Sequence, residues 1–170
     1  NRKSTVGLVG SMGEIRLGRD YSPQFYPDAQ YDPFGTNGVA SSLIAYGGGA
    51  AAVRASNMIA YHSPSLGGLT VMLGSYFGEN NTGAAAGKAG DGNGIHVRYA
   101  QGPLALGIAS STTKTAAATE VKTSTMGGSY NMGVATLMVN SNTVSNTGLV
   151  DIKGMLIGAA IPMAGGTLKF

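Results

Sequence analysis

The chain has 170 residues, of which 11% are charged and 28 are glycine, and its formal net charge is +3. The charged fraction lies well below the roughly 25% of soluble domains. The sequence contains no Cys, which excludes a disulfide scaffold, and no block of Lys and Arg, which argues against nucleic-acid binding. A run of about 18 apolar residues is missing, so a transmembrane helix is not predicted. This composition favours an all-β protein whose outer surface is not fully wetted.

Apolar–polar alternation along the chain predicts nine antiparallel strands and the start of a tenth. They cover residues 4–11, 14–21, 54–62, 69–78, 95–101, 104–113, 121–131, 134–141, 149–162 and 167 onward. Tight turns alternate with longer loops between them, so all the tight turns lie at one end of the sheet. Outer-membrane barrels sort their connections in this way, with short periplasmic turns and long extracellular loops. The predicted fold is therefore a transmembrane antiparallel β-barrel.

Each predicted strand has one apolar face and one polar face. In a barrel the apolar face would contact lipid and the polar face would line an aqueous lumen, and the sheet must close so that its backbone amides are paired. Arg16, Arg54 and Arg98 share the polar parity, so we interpret them as a basic pore wall that would attract anions. The alternative is that they are ordinary solvated strand residues.

The segment 22–53 is unusually long for a loop inside a compact domain, which favours a functional role. We predict that it folds into the lumen, where Asp28 and Asp32 would oppose the basic wall. Either aspartate could instead simply make a turn. Glu14, Arg19 and Asp20, shortly before this loop, are candidates for the rim or the constriction, although Arg19 falls on the lipid-facing parity.

Catalytic and metal sites have little support in the sequence. His62 and His96 share the polar parity, but two histidines without a matched carboxylate are weak evidence for a metal, and wetted wall residues are the simpler interpretation. We find no Ser–His–Asp spacing or carboxylate pair that would support catalysis. The sequence therefore predicts neither an enzyme nor a bound cofactor or metal.

Several motifs together resemble the trimeric general-diffusion porins of β-proteobacteria, a family of Gram-negative outer-membrane proteins. They are NRKSTVGL, GEIRLGRDYSP, DPFGTNGV and VRASNMIAY, supported by the later SYNMGVA and GAAIPMAGGTLK. The resemblance covers residues 1–170 and is sharpest over 1–61. It departs from the family at Met58, where this parity puts a bulky apolar side chain in the lumen.

The resemblance implies a 16-stranded barrel of which this chain holds about nine or ten strands, with the third loop folded into the pore. It also implies a homotrimer in the bacterial outer membrane, in contact with lipid and lipopolysaccharide, that passes small ions and hydrophilic solutes. Wall arginines facing acidic loop residues imply anion preference. Residues 1–170 would form a single domain, incomplete at both ends.

Two other functions stay open. A barrel of the same architecture could be an enzyme whose catalytic cluster lies in the missing strands. An outer-membrane or secreted β-rich adhesin without channel activity could share the glycine-rich strands. The strength of ion selectivity and the identity of any specific solute do not follow from the sequence.

Overall fold

A computed structural model describes residues 2–38, 41–43, 53–79, 88–116 and 119–170. These residues form a short helix, α1 (Phe25–Gln30), and ten strands. The strands are β1 (Ser4–Gly10), β2 (Gly13–Tyr21), β3 (Arg54–His62), β4 (Leu69–Tyr76), β5 (Gly92–Gln101), β6 (Leu104–Ala116), β7 (Thr119–Asn131), β8 (Thr136–Asn146), β9 (Ile152–Met163) and β10 (Gly166–Lys169). The Gly/Ala-rich part of the predicted pore loop lies largely outside the described residues.

All ten strands belong to one sheet, in which each strand pairs antiparallel with its neighbour in the chain. The predicted all-β antiparallel fold is confirmed. Long connections follow β2 and β4, whereas the chain turns tightly after β1, β5 and β9. The connection after β6 is shorter than predicted, because β6 runs to Ala116 and β7 begins at Thr119.

Strand β8 is longer than the sequence predicts. The alternation suggests a loop from Ser141, but the strand continues to Asn146, and its residues pair in register with β7 as far as Val121. Ser, Thr and Asn occupy much of both faces of this end of β8, which hides the two-residue period. Cross-strand pairing nevertheless satisfies the backbone amides there, so the strand persists.

The two faces of the sheet differ in chemistry. We call the face against which residues 22–38 pack the inner face, and the opposite one the outer face. Large apolar side chains stay exposed on the outer face: Val6, Leu8, Ile15, Leu17, Ile59, Leu73, Ile95, Leu106, Ile108, Met126, Leu137, Val139, Met155 and Ile157. Covering a side chain of this size is worth about 1.5–3 kcal/mol relative to leaving it in water. The outer face therefore requires a non-aqueous cover.

A bulge interrupts the pairing of β2 with β3. The register shifts between Gly18 and Asp20, where Gly18 has φ +124° and Asn57 on the partner strand has φ +50°. Met58 therefore pairs with Gly18, but Asp20 pairs with Ala55. Beyond the bulge, a strict two-residue alternation no longer predicts which side chains share a face.

Within the described residues, no helix has the length and apolar character needed to cross a membrane.

Candidate functional site

The segment that follows β2 lies across the inner face, where glycines replace side chains. Tyr31 packs on Gly107 and Gly127, at which an added Cβ would lie 2.8 and 2.6 Å from the Tyr31 ring. Pro23 packs in the same way beside Gly74 and Gly94, where an added Cβ would lie 3.2 and 3.1 Å from its Cγ. The Tyr31 contacts on β6 and β7 leave no room for a Cβ atom, and at the Pro23 contacts on β4 and β5 a Cβ atom would require a small shift of Pro23. We call these four glycines the glycine seat.

Asp28 of α1 is clamped on strand β8. Its carboxylate accepts hydrogen bonds from Nδ2 of Asn140 at 3.2 Å and from Nδ2 of Asn142 at 3.1 and 3.3 Å. Asn140 also donates to the backbone carbonyl of Pro27 at 3.3 Å. All three side chains are buried. Burial raises the pKa of Asp28 to about 6, although the two amide donors oppose that rise.

Asp32 joins two parts of the same loop by hydrogen bonds. Its Oδ1 accepts the Phe34 amide at 2.7 Å, and its Oδ2 accepts the backbone amide and the hydroxyl of Ser42 at 2.8 and 3.0 Å. The Asp32 side chain is buried, and these donors occupy both of its oxygens. The carboxylate thus fixes the start of the loop relative to residues 41–43.

Three of the residues singled out from the sequence meet at one side of the inner face. The Arg16 guanidinium donates to both Glu14 oxygens at 2.9 and 2.8 Å and to Asp20 Oδ2 at 2.5 Å. Lys3, which the sequence did not single out, pairs with Asp20 Oδ1 at 2.5 Å. Asp20 itself is buried. This cluster contains two cations and two anions, so its net charge is zero. We call it the paired cluster.

The other two arginines of the predicted wall lie elsewhere. Arg54 pairs with Tyr21 beyond the bulge, and its guanidinium carbon lies 4.9 Å from the centre of the Tyr21 ring, which itself stacks on Phe25 of the loop. The two-residue alternation that groups Arg54 with Arg16 is interrupted by the bulge, so alternation does not decide on which face Arg54 lies. Arg98 follows the inner-face parity and pairs with Gly107, on which Tyr31 packs.

The electrostatic environment of Arg54 and Arg98 differs from that of Arg16. In the described part of the chain neither of them forms an ion pair, and the Nε of each is buried without a hydrogen-bond partner. Burial raises the pKa of the Tyr31 hydroxyl, and the charge of Arg98 opposes this rise. Arg19 donates to the Ser56 hydroxyl at 2.6 Å, beside the bulge.

Tyr26 lies at the centre of the packing between loop and wall. Its ring stacks on His96 with centroids 5.4 Å apart and meets the edge of His62 at 6.4 Å. It also packs against a buried cluster that includes Met58 and Met72. Met58, the departure from the family pattern, thus lies on the inner face but is covered by the loop. Burial raises the pKa of Tyr26 to about 12, which keeps its hydroxyl protonated at neutral pH.

Sequence reasoning missed Lys3, Tyr26, Asn140 and Asn142. The two asparagines carried a signal: strands disfavour Asn, and two of them at alternate positions of one strand indicate a polar partner on that face. In the described residues, no group of three or more His, Cys, Asp or Glu side chains could hold a metal ion.

The sequence pattern of the Gram-negative porins matches residues 1–170. The chain belongs to this family. It is 35% identical to outer membrane porin protein 32 of Delftia acidovorans, over 96% of this chain and 50% of that protein. The anion-selective porin from Comamonas acidovorans superposes with a TM-score of 0.86 at 34% identity, over 99% of this chain and 55% of that one.

More distant structures share the fold. OmpF of Salmonella typhi superposes with a TM-score of 0.74 at 15% identity, over 95% of this chain and 55% of that one. The chain thus spans about half the length of the relatives it matches. Family membership identifies the sheet as part of a porin-type barrel in the bacterial outer membrane.

Proposed function

We propose that the complete protein forms a water-filled channel for passive diffusion of small hydrophilic solutes and ions, with a preference for anions. The observation that carries this proposal is the packing of residues 22–38 across the inner face of a sheet whose outer face is apolar. A loop held inside a barrel narrows the pore. We propose that the whole segment 22–53 acts as the pore loop and that residues 1–170 belong to a single barrel domain.

The proposed anion preference rests on the difference between acidic side chains, which have ion-pair or hydrogen-bond partners, and the arginines that have no ion pair. The acidic side chains near the loop are occupied: Glu14 and Asp20 pair with cations, whereas Asp28 and Asp32 are buried and hydrogen-bonded. We therefore assign the basic wall mainly to Arg98, with Arg54 at the start of β3, and treat the paired cluster as close to neutral. Uncompensated guanidinium groups in a low-dielectric channel attract anions.

We further propose that three copies assemble and that the outer face contacts lipid and lipopolysaccharide. The exposed apolar side chains of the outer face support both contacts, because a neighbouring subunit and lipid tails each remove them from water. Nothing in the comparisons supports the adhesin alternative. The relatives are named as porins, which are channels and not enzymes.

The test is single-channel recording of the full-length protein in a planar bilayer under a KCl gradient. We expect stepwise conductance and a reversal potential that favours chloride. Arg98→Gln should reduce the chloride preference, whereas the charge-neutral double variant Glu14→Gln/Arg16→Gln should leave it nearly unchanged. Cation preference in the unaltered protein would contradict the assignment of the basic wall, and absence of conductance would contradict the channel itself.

A further inference from the structure

A cavity of about 260 Å³ lies beside Tyr26 on the inner face. The residues that matter for its chemistry are Tyr26, Gln30, His62, Thr70, His96 and Arg98. They come from α1 of the loop and from β3, β4 and β5 of the wall, so the cavity exists only while the loop is docked. Its walls carry guanidinium, imidazole, carboxamide and hydroxyl groups and no carboxylate.

Four buried polar atoms around this cavity have no hydrogen-bond partner: Gln30 Oε1, His62 Nε2, His96 Nε2 and Arg98 Nε. The His96 side chain is only 6% exposed. A buried polar group without a partner costs about 1–3 kcal/mol relative to a satisfied one, and such groups are rare in native proteins. Four residues of one cavity that each carry such an atom indicate a site for water or for a polar ligand.

The chemistry of these atoms limits what that ligand can be. Arg98 is a permanent cation and only donates, which favours an oxyanion. The Gln30 Oε1 atom only accepts, so a ligand that also carries a donor fits this site best. Phosphate at neutral pH carries both charged oxygens and a hydroxyl, whereas sulfate and chloride have no proton to donate. The volume of the cavity is sufficient for a phosphate with bound water.

We propose that this cavity is a binding subsite for phosphate, with Arg98 and the two imidazoles facing its oxygens and Gln30 accepting from its hydroxyl. The subsite rests on the proposed channel function, because the pore would deliver the anion. It goes beyond general anion preference, since it distinguishes phosphate from sulfate by a hydrogen bond. A phosphate monoester has the same charged oxygens, but its second pKa is about 6. At neutral pH most of it therefore lacks a P–OH to donate to Gln30, and we expect it to bind more weakly than the free ion.

The first test compares phosphate and sulfate as blockers of chloride current through the full-length channel. We expect phosphate to reduce the current at a concentration about tenfold lower than sulfate, which is the discrimination that a single hydrogen bond supplies. Gln30→Ala should remove most of this difference. A phosphate monoester such as glycerol phosphate, tested in parallel, distinguishes the free ion from its esters.

The matched control uses the two uncompensated arginines. Arg98→Gln and Arg54→Gln remove the same charge, but only Arg98 lines the cavity. We expect Arg98→Gln to abolish phosphate block and Arg54→Gln to retain it. Equal block by phosphate and sulfate in a conducting, anion-preferring channel would overturn the subsite but leave the proposed function intact.

A second measurement does not depend on conduction. Calorimetric titration of inorganic phosphate into the folded, detergent-purified protein should give saturable binding that Arg98→Gln removes, with folding of each variant checked by its β-sheet circular dichroism. A protein that binds phosphate without conducting would support the subsite and contradict the channel. Absence of saturable binding to the folded protein would overturn the subsite.

Discussion

Two regions of the inner face hold the same loop by different physical means. On β4 to β7 the glycine seat accepts Pro23 and Tyr31 because the wall lacks Cβ atoms there. On β8 the carboxylate of Asp28 is held by the amides of Asn140 and Asn142. The first contact depends on shape alone, and the second depends on the charge state of one buried group. We call the contact of Asp28 with Asn140 and Asn142 the clamp. Docking of the loop on the glycine seat should not depend on pH, whereas docking through the clamp should.

The largest effect is expected from filling the seat. In Gly127→Ala the new methyl would lie 2.6 Å from Cδ2 and 2.9 Å from Cβ of Tyr31, so the loop must shift. Overpacking of this kind costs about 1–3 kcal/mol. We expect a lower thermal midpoint in detergent and a larger single-channel conductance, because the displaced loop narrows the pore less.

The neighbouring Gly128→Ala is the matched control. Its new methyl points to the outer face and meets mainly the end of the flexible Leu106 side chain, 2.8 Å away. We expect wild-type conductance from this variant. Equal conductance changes in both glycine variants would show that the seat does not position the loop.

The next effect comes from weakening the clamp. Asn142→Ala removes two of the hydrogen bonds to the Asp28 carboxylate and leaves that buried charge underpaired. We expect a loss of about 1–3 kcal/mol in stability and faster hydrogen exchange of the α1 amides. Adding Asp28→Asn should recover much of the loss, because the charge is then absent. Asn93→Ala, an exposed position on β5, is the control, and an equal effect there would contradict the clamp.

The smallest effect is a pH dependence confined to the clamp. The pKa of Asp28 rises from 3.8 to about 6 in the folded protein, so the docked loop holds its proton more tightly than the free chain. Docking is therefore strongest below about pH 4 and weakens as the pH rises through about 6. Asp32 is the other charged group that acts on Asp28, and it works in the same direction.

The measurement compares wild type with Asp28→Asn. We expect the variant to be more stable than wild type at about pH 7, and the gap to shrink at about pH 4.5, where Asp28 is largely protonated in the docked state. A gap of the same size at both pH values would contradict the clamp as the titrating element. The glycine seat should give no such pH dependence.

The sequence predicted the strands well where one face is apolar and the other polar, as in β2 and β4. It failed where polar residues occupy both faces, as beyond Ser141 in β8. It also failed to place Arg54, because the bulge at Gly18 and Asn57 shifts the parity by one residue and neither residue type requires a bulge. The fit of Tyr31 on Gly107 and Gly127 is a tertiary match between distant segments, which no local pattern encodes.

The clamp joins residues that are far apart in the sequence, and this affects the expected order of folding. Every strand pairs with its neighbour in the chain, so the sheet can grow hairpin by hairpin through short loop closures. The bonds from Asp28 to Asn140 and Asn142, by contrast, join residues 112 and 114 positions apart. Closing so large a loop before β8 exists would cost chain entropy without any contact to compensate for it. We therefore expect the barrel wall to assemble first and the segment that narrows the pore to dock as one of the last steps.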